Sequence, residues 1–291
     1  FFDENQLKPD QYNRNAIPLA AYTYWYGRGC GREDVCRWAV EASTTIDGLL
    51  QVQEPSHMEE IAKLFASEGA KVVISARRQQ VLEEVAKEIE AAGGTVLCVP
   101  TDISKVDDVK NLVSKTVETF GQLDILINNA GVLDKGLNAI DQIDYDDLNR
   151  VIDINQKGTM YCMSEALKVM KSGASIVNIS SVAGQYGAGG AVYVSTKAAI
   201  IGVTKHAAMR FAKEKIRCNV ICPGSITTDM AAGLTPDTMD MKMMGAMSAH
   251  SDLSLQPCSP LDVAKVALFL ASDDAAPLTG QVVVSDYGVD L

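Results

Sequence analysis

From Glu59 onward, short apolar runs alternate with longer segments of helical periodicity. Ile61, Leu64 and Phe65 recur at the spacing of one helix face, and the β-branched run from Lys71 to Ser75 that follows is typical of a buried strand. Apolar strands separated by amphipathic helices predict an α/β fold: a single doubly wound domain whose parallel sheet is flanked by helices on both faces. Further predicted helices cover 81–92, 106–120, 146–171, 193–214 and 260–271, and further strands cover 95–100, 123–128, 175–179, 217–222 and 281–285.

Two segments depart from this alternation. Residues 1–48 contain both tryptophans and four of the nine tyrosines, so we expect an N-terminal extension before the α/β domain at 49–291. Residues 229–258 carry six of the eleven methionines, and such flexible side chains in one connection favour an adaptable apolar lid. A helix packed by ordinary core methionines is the alternative. The six methionines are Met230, Met239, Met241, Met243, Met244 and Met247.

Composition and charge exclude several classes of partner. With 291 residues, 47% of them hydrophobic and 22% charged, the chain can bury one large core. The formal net charge of -11, without a basic patch in the sequence, argues against nucleic acid and anionic membranes as partners. The apolar runs are shorter than the roughly 20 residues of a membrane span. The start, Phe1-Phe2-Asp3-Glu4, does not have the pattern of a secretory signal.

Cysteine usage favours a reduced, cytoplasmic protein. The chain has seven cysteines, an odd number, and they form no C-x-x-C pair. Zinc binding through Cys218 and Cys222 is conceivable, but no histidine stands at ligand spacing, and buried strands use cysteine as a small hydrophobe. We therefore expect no metal site.

The strongest chemical signal is the segment Tyr193-Val-Ser-Thr-Lys197. Residues four apart share a helix face, so the Lys197 ammonium is expected beside the Tyr193 phenol. There its charge would lower the pKa of the tyrosine and make the hydroxyl a usable proton donor and acceptor. Taken alone, this spacing occurs by chance in many helices, so its weight depends on what accompanies it.

Other polar motifs stand where predicted strands end. Ser180 and Ser181 follow the strand in "SIVNISSVAG", "INNAG" ends at Gly131, and "CPG" ends at Gly224. The carboxyl ends of parallel strands form the binding crevice of an open α/β sheet. These motifs are therefore expected to converge on one site.

The ordered set N-N-A-G, D-I-N, S-S-V-A-G, Y-x-x-x-K and P-G, spread over about 59–288, resembles the short-chain dehydrogenase/reductase family. The resemblance implies a Rossmann-type domain that moves a hydride between NAD(P) and an alcohol or carbonyl. It implies that Tyr193 is the acid and base, and that Lys197 lowers its pKa and holds the nicotinamide ribose. It also implies that Ser181 polarises the substrate oxygen and that Asn155 anchors a water in a proton relay.

The assignment of the serine depends on spacing. Members of the family commonly carry it thirteen residues before the tyrosine, where Ser180 stands here, whereas Ser181 stands twelve before it. The flanking S-V-A-G favours Ser181, with a loop that is one residue shorter. Ser180 is the alternative.

The resemblance also implies a cofactor groove along the strand ends, in which Asp102 faces the adenine and Thr228 bonds the carboxamide. The second strand ends in Ile74-Ser75-Ala76-Arg77-Arg78 without an acidic residue, which favours NADP(H) and leaves NAD(H) possible. Two arginines that only begin a solvated helix are the alternative. The implied cofactor-binding residues are Arg77, Asp102, Ile103, Asn128, Ala130, Gly131, Tyr193, Lys197, Pro223, Gly224 and Thr228.

The phosphate-binding turn of the family, T-G-x-x-x-G-x-G, is missing before the first predicted helix. In its place stand residues 51–58, where Ser56 and Glu59 form a capping box that would compete with a phosphate. The cluster from Gly27 to Gly31 resembles the latter half of the loop and would serve if about thirty residues were inserted after it. An ordinary turn and an altered N-terminal reading frame are the alternatives.

Two functions follow from these observations. The first is an NADP(H)- or NAD(H)-dependent oxidoreductase that interconverts a secondary alcohol and a ketone on a bulky apolar substrate, such as a steroid. The second is a dehydrogenase-fold protein that has lost dinucleotide binding and serves as a binding or assembly module. The resemblance further implies a homo-oligomer, a tetramer or dimer, built from the helices near 146–171 and 193–214.

Overall fold

A single parallel sheet forms the centre of the described domain. The computed structural model describes residues 41–46, 57–226, 237–252 and 254–289. Within them, seven parallel strands pair in the order β3-β2-β1-β4-β5-β6-β7. The strands are β1 (Glu41–Ile46), β2 (Lys71–Ala76), β3 (Thr95–Cys98), β4 (Ile125–Asn128), β5 (Ser175–Ile179), β6 (Arg217–Pro223) and β7 (Val282–Ser285).

Helices connect successive strands of the sheet. A π-helical turn (Ile152–Gly158) separates α4 from α5, so the predicted helix at 146–171 consists of three elements. The helices are α1 (His57–Ser67), α2 (Gln79–Ala91), α3 (Val106–Phe120), α4 (Tyr145–Val151), α5 (Thr159–Ala166), α6 (Val182–Tyr186), α7 (Ala191–Phe211), α8 (Met241–Ser248) and α9 (Pro260–Ala271).

Each face of the sheet packs on its own set of helices. On β4, Ile125 and Ile127 belong to a core shared with α1, α2 and α9, whereas Leu126 belongs to a core shared with the α4 to α5 segment and α7. Successive residues of a strand point to opposite faces, so a fully apolar strand supplies both cores. The predicted α/β fold class, with a doubly wound parallel sheet, is confirmed.

The pattern-based prediction missed the strand β1. Glu41–Ile46 pairs with both β2 and β4 and lies near the middle of the sheet, although it falls within the segment that we expected to be an extension. Its sequence, EASTTI, has only two apolar residues, so it lacks the continuous run that marked the other strands. Residues 47–56, which join β1 to α1, are outside the described residues.

Helix α8 lies within the predicted methionine-rich lid. Of its eight residues, all of which the structure describes, none is buried. Met241 is 59% exposed, and Met243, Met244 and Met247 are half-buried. An ordinary core helix would bury these side chains.

In the part of the chain that the structure describes, we find no helix with the length and apolar character needed to cross a bilayer.

Arg217, at the start of β6, binds the carboxyl end of α9. Its guanidinium donates hydrogen bonds to the carbonyl groups of Leu270 at 2.5 Å, Ala271 at 2.9 Å and Ser272 at 3.0 Å. The last carbonyl groups of a helix have no partner within the helix. A cation placed there is also attracted by the negative end of the helix dipole. Arg217 therefore connects the sheet to α9.

We predict that Arg217→Met lowers the free energy of unfolding by about 2–4 kcal/mol, because three carbonyl groups lose a charged donor. The matched control is Arg210→Met. It removes an exposed ion pair between Arg210, in the last turn of α7, and Glu214, just after the helix. That change should cost less than about 0.5 kcal/mol. Urea unfolding followed by circular dichroism measures both, and equal losses would show that the cap contributes little.

Candidate active site

Helix α7 carries Tyr193 and Lys197 on one buried face. The two residues are 8% and 2% exposed, and the Lys197 Nζ lies 5.6 Å from the centroid of the Tyr193 ring. This Nζ also donates a hydrogen bond of 3.0 Å to the carbonyl of Ile179, the last residue of β5. The lysine is thus held at the carboxyl end of the sheet, beside the phenol.

Two glycines make room for this lysine. At Gly184, in the first turns of α6, a Cβ would lie only 2.5 Å from the backbone carbonyl carbon of Lys197, so the small residue allows α6 to pack directly on α7. At Gly131, just after β4, a Cβ would lie 3.1 Å from the Lys197 Nζ. The final glycine of S-S-V-A-G therefore lets α6 approach the backbone of Lys197, and the final glycine of N-N-A-G leaves room for its amine.

The two candidate serines differ in their contacts. Ser181 is the N-cap of α6, where its Oγ accepts the Ala183 N–H at 3.1 Å, and its side chain faces the Tyr193 phenol closely enough to act on the pKa of that group. Ser180 is 3% exposed, and its Oγ donates to the backbone carbonyl of Lys197 at 2.7 Å. Ser180 connects β5 to α7, whereas Ser181 is the serine in contact with the phenol.

Asn155 lies fully buried in the π-helical turn. Its Oδ1 accepts the Val132 N–H at 2.8 Å, and its Nδ2 donates to the Val132 carbonyl at 2.9 Å and to Thr196 Oγ1 at 3.1 Å. Its backbone carbonyl accepts a hydrogen bond of 2.8 Å from Thr159 Oγ1. The side chain thus connects the loop after β4 to α7, and the water-anchoring role stays a prediction.

Burial moves the pKa values of the tyrosine and the lysine in opposite directions. It raises the pKa of Tyr193 to about 12, although the nearby Ser181 hydroxyl opposes this rise, and the charge of Asp134 adds to it. It lowers the pKa of Lys197 to about 8. The net shift of the Tyr193 pKa is upward because burial removes water from the phenolate, and the role of Lys197 in lowering that pKa stays a prediction.

Buried amide oxygens at the end of β4 suit a ligand that carries hydroxyl groups. Asn128 Nδ2 donates to Asn178 Oδ1 at 2.8 Å. The Oδ1 atoms of Asn128 and Asn129 are buried without a hydrogen-bond partner among the described residues. Buried polar atoms are rarely left in this state, so a ligand donor is the natural complement. Ala130, the next residue of this motif, is part of the core that contains Leu126.

Asp102 and Ile103 contact other parts of the protein. The Asp102 Oδ1 accepts hydrogen bonds from the hydroxyl and N–H of Ser104 at 2.6 and 3.1 Å, and its Oδ2 lies 3.5 Å from Lys105 Nζ. The Ile103 side chain is 2% exposed and fills the space that a Cβ on Gly158 would occupy. A cofactor contact of Ile103 would therefore have to come from its backbone, because its side chain is part of the core.

The remaining predicted contacts lie at two other strand ends. Arg77 is exposed directly after β2. Pro223 ends β6, and Gly224 lies so close to Asp286 that a Cβ would approach the Asp286 Cβ to 2.5 Å. No group of three or more metal-binding side chains was found among the residues that the structure describes. Three predicted features are outside the described residues: Thr228, the Ser56 turn, and the segment Gly27 to Gly31.

Sequence reasoning missed Asp134. This residue is 3% exposed, and its Oδ2 accepts the backbone N–H of Tyr193 at 3.4 Å. Its only sequence signal was its place shortly after N-N-A-G, but Asp-Lys-Gly is typical of a surface turn. The tertiary structure, and not the local pattern, brings it to the backbone of Tyr193.

Known proteins match the part of the chain that contains the candidate active site. A family model described as enoyl-(acyl carrier protein) reductase matches residues 58–290. The 3beta-hydroxysteroid dehydrogenase 2 of Eggerthella lenta is 32% identical over 232 residues, which cover 78% of this chain and 88% of that protein. The 3-oxoacyl-(acyl-carrier-protein) reductase FabG of Staphylococcus aureus is 36% identical over 235 residues, which cover 79% and 92%.

Solved structures show the same fold. A dehydrogenase/reductase from Sinorhizobium meliloti 1021 has a TM-score of 0.76 at 25% identity, with 88% of this chain and 98% of that chain covered. The family match includes α7 and each described strand end that carries a polar motif. The chain therefore belongs to the short-chain dehydrogenase/reductase family of NAD(P)-dependent oxidoreductases that act on CH–OH groups.

Proposed function

We propose that this protein interconverts a secondary alcohol and a ketone, that it prefers NADP(H) to NAD(H), and that its substrate is bulky and apolar. The observation that carries the proposal is the buried pair of Tyr193 and Lys197. The Lys197 Nζ lies 5.6 Å from the centroid of the phenol ring and donates to the carbonyl of Ile179, and Ser181 faces the phenol. A hydroxyl that can bind a substrate oxygen and a phenol that can transfer a proton thus share one site.

The proton chemistry follows from the two shifted pKa values. With its pKa raised to about 12, Tyr193 keeps its proton at neutral pH and gives it to the substrate oxygen during reduction, while Ser181 holds that oxygen. Lys197, with a pKa of about 8, is mostly charged below pH 8 and favours the phenolate that proton transfer leaves behind. The nicotinamide cofactor, when bound, exchanges the hydride with the substrate carbon.

Buried groups at the end of β4 and on α7 are suited to the cofactor. Ribose hydroxyl groups can donate to the Oδ1 atoms of Asn128 and Asn129, which have no partner among the described residues, and can accept from Lys197. Gly131 keeps the space beside Lys197 Nζ free of a side chain. Asn155 fixes the loop at Val132 against α7 and so preserves the shape of this groove.

The preference for NADP(H) rests on the end of β2. Arg77 is exposed there, and the stretch 74–78 contains no carboxylate that could bind the ribose hydroxyls of NAD(H). A guanidinium suits the 2'-phosphate of NADP(H) because it presents several donors in one plane.

The substrate class rests on α8 and on the relatives. Met243, Met244 and Met247 are half-buried on a helix without buried residues, which supports an adaptable apolar cover. The relative from Eggerthella lenta is a 3beta-hydroxysteroid dehydrogenase by name, which supports a polycyclic apolar alcohol or ketone. The net charge of -11 disfavours substrates presented by an acidic protein.

A homo-oligomer, a dimer or tetramer, is part of the proposal. Large apolar side chains are exposed on helices of the region implied for assembly: Tyr145 on α4 is 78% exposed, Met160 on α5 is 44% exposed, and Met209 on α7 is 77% exposed. Exposed apolar surface of this kind supports an interface with another copy.

The alternative function, a binding or assembly module without dinucleotide binding, is favoured by the glycine-free turn at Ser56.

We predict instead that the protein binds NADPH at sub-millimolar nucleotide concentrations, which is measured as enhanced nicotinamide fluorescence. Tyr193→Phe should keep this binding but lower ketone turnover by about 10²–10⁴-fold, because the proton donor is gone. The exposed Tyr145→Phe is the control and should keep full turnover. Failure to bind either nucleotide at millimolar concentration favours the alternative, and full turnover by Tyr193→Phe removes this mechanism.

We predict that the dissociation constant for NADPH is at least about tenfold lower than that for NADH, and that Arg77→Gln removes most of this preference by weakening NADPH alone. Lys87→Gln removes one positive charge from an exposed position on α2 and serves as the control. Fluorescence titration with both nucleotides measures the ratio. An unchanged ratio in Arg77→Gln would assign the preference to another residue.

We predict that Lys197→Met unfolds at a higher temperature than the wild type at pH 7. The pKa of Lys197 is about 8 when folded and 10.5 when exposed, so the unfolded chain binds more protons between these values, and the wild type becomes more stable as pH rises through them. The variant lacks this penalty and should gain about 1–3 kcal/mol below pH 8, after the lost hydrogen bond to Ile179 is counted.

Thermal unfolding at pH 6.5, 8 and 9.5 tests this prediction. The difference in melting temperature between Lys197→Met and the wild type should shrink as pH rises. Lys205→Met, on the exposed side of α7, should show no such trend. A variant that is less stable than the wild type at every pH would mean that the ammonium is well compensated in the fold.

A further inference from the structure

Helix α7 begins without a cap of its own. Gly190 stands before its first residue and offers no side chain to the N–H groups of the first turn. A distant loop accepts them instead. The Asp134 Oδ2 lies 3.2 Å from the Val192 nitrogen and 3.4 Å from the Tyr193 nitrogen, and the Asn138 carbonyl accepts the Ala191 N–H at 2.9 Å.

This loop, residues 133–138, is itself held by α4. The Asp147 Oδ2 accepts the N–H of Lys135 at 2.6 Å, and its Oδ1 accepts the Arg150 Nε–H at 2.8 Å. Arg150 then donates to the carbonyl of Leu133 at 2.7 Å. An ion pair on α4 thus fixes the backbone on both sides of Asp134.

The carboxylate of Asp134 has little freedom to move. The residue is 3% exposed, and its Oδ1 has no hydrogen-bond partner among the described residues. A Cβ on Gly190 would collide with both carboxylate oxygens, so the position of the acid depends on glycine at that place. A buried acid packed in this way is an expensive choice for a cap that a serine could provide locally.

We propose that Asp134 is a positioning residue for proton transfer: it holds the first turn of α7 through the N–H groups of Val192 and Tyr193, so that the Tyr193 phenol faces Ser181. The charged and titratable groups that face Tyr193 are Asp134, Lys197 and Cys222, and Asp147 in turn faces Asp134. The Asp134 charge acts together with burial to raise the pKa of Tyr193. The inference rests on the proposed function of Tyr193.

Two substitutions at Asp134 separate its geometry from its charge. Asp134→Asn keeps an acceptor for the two N–H groups but removes the charge, so the pH profile of kcat for alcohol oxidation should move down by about 0.5–1 pH unit, with an unchanged KM for the nucleotide. Asp134→Ala removes the acceptor as well, so kcat should fall about 10–100-fold at every pH. Asp146→Asn, on the exposed side of α4, is the matched control and should change neither quantity.

Gly190→Ala is a second test of the position of the Asp134 carboxylate, because the new methyl group displaces the carboxylate without removing it. We expect kcat to fall while NADPH binding is kept. The proposal is overturned if Asp134→Ala and Gly190→Ala both keep kcat within twofold, or if Asp134→Asn leaves the pH profile unchanged. A loss of kcat that comes with unfolding of the whole domain also overturns it, because the role is then only structural.

Hydrogen exchange provides a measurement that does not depend on turnover. In Asp134→Ala, deuterium uptake at residues 191–197 should rise, whereas Asp134→Asn should match the wild type. If the wild type reduces no ketone, the proposed function fails, and this exchange experiment still decides whether Asp134 holds the helix. Equal uptake in Asp134→Ala and the wild type would show that it does not.

Discussion

The buried ammonium of Lys197 is the constraint on which the rest of the site depends. A charge removed from water needs a hydrogen-bond partner, and here that partner is the carbonyl of Ile179 at the end of β5. The contact requires α7 to lie against the carboxyl end of the sheet, which is possible because Gly184 and Gly131 leave space beside the lysine. Two motifs, S-S-V-A-G and N-N-A-G, thus each place a glycine against the residue that carries this amine.

The same burial sets the proton chemistry. It keeps the phenol of Tyr193 protonated and brings the pKa of Lys197 close to neutral pH. An argument from the helix face alone gives the opposite direction for the tyrosine, because it counts the charge of the lysine and omits the loss of water. Asp134 adds to the effect, and this acid comes from a loop almost sixty residues away in the sequence.

The stable and the adaptable parts of the molecule are separated in space. Both faces of the sheet are covered by well-packed cores, and the polar residues of the site lie at its edge, on elements fixed by those cores. Helix α8, in contrast, has no buried residue among the eight that the structure describes. The methionines of the proposed substrate cover therefore lie outside both cores.

The sequence by itself determined the fold class and the family. Six of the seven strands were predicted because strands buried on both faces are continuously apolar. The ordered motifs identified the family, and they stand at strand ends, in the π-helical turn and on α7. The strand β1 was missed because its composition is polar for a central position. The roles given to Tyr193, Lys197, Ser181 and Asn155 stay predictions, although the structure brings all four to the same edge of the sheet.

Only the tertiary structure decided which serine contacts the phenol, which direction the pKa values move, and which acid caps α7. A one-residue difference in spacing could not distinguish Ser180 from Ser181, but burial and hydrogen bonds give them different partners. These properties depend on distances between segments that are remote in the chain and on how much water they exclude. Local periodicity carries information on neither, whereas it does report the alternation of strand and helix from which the fold is built.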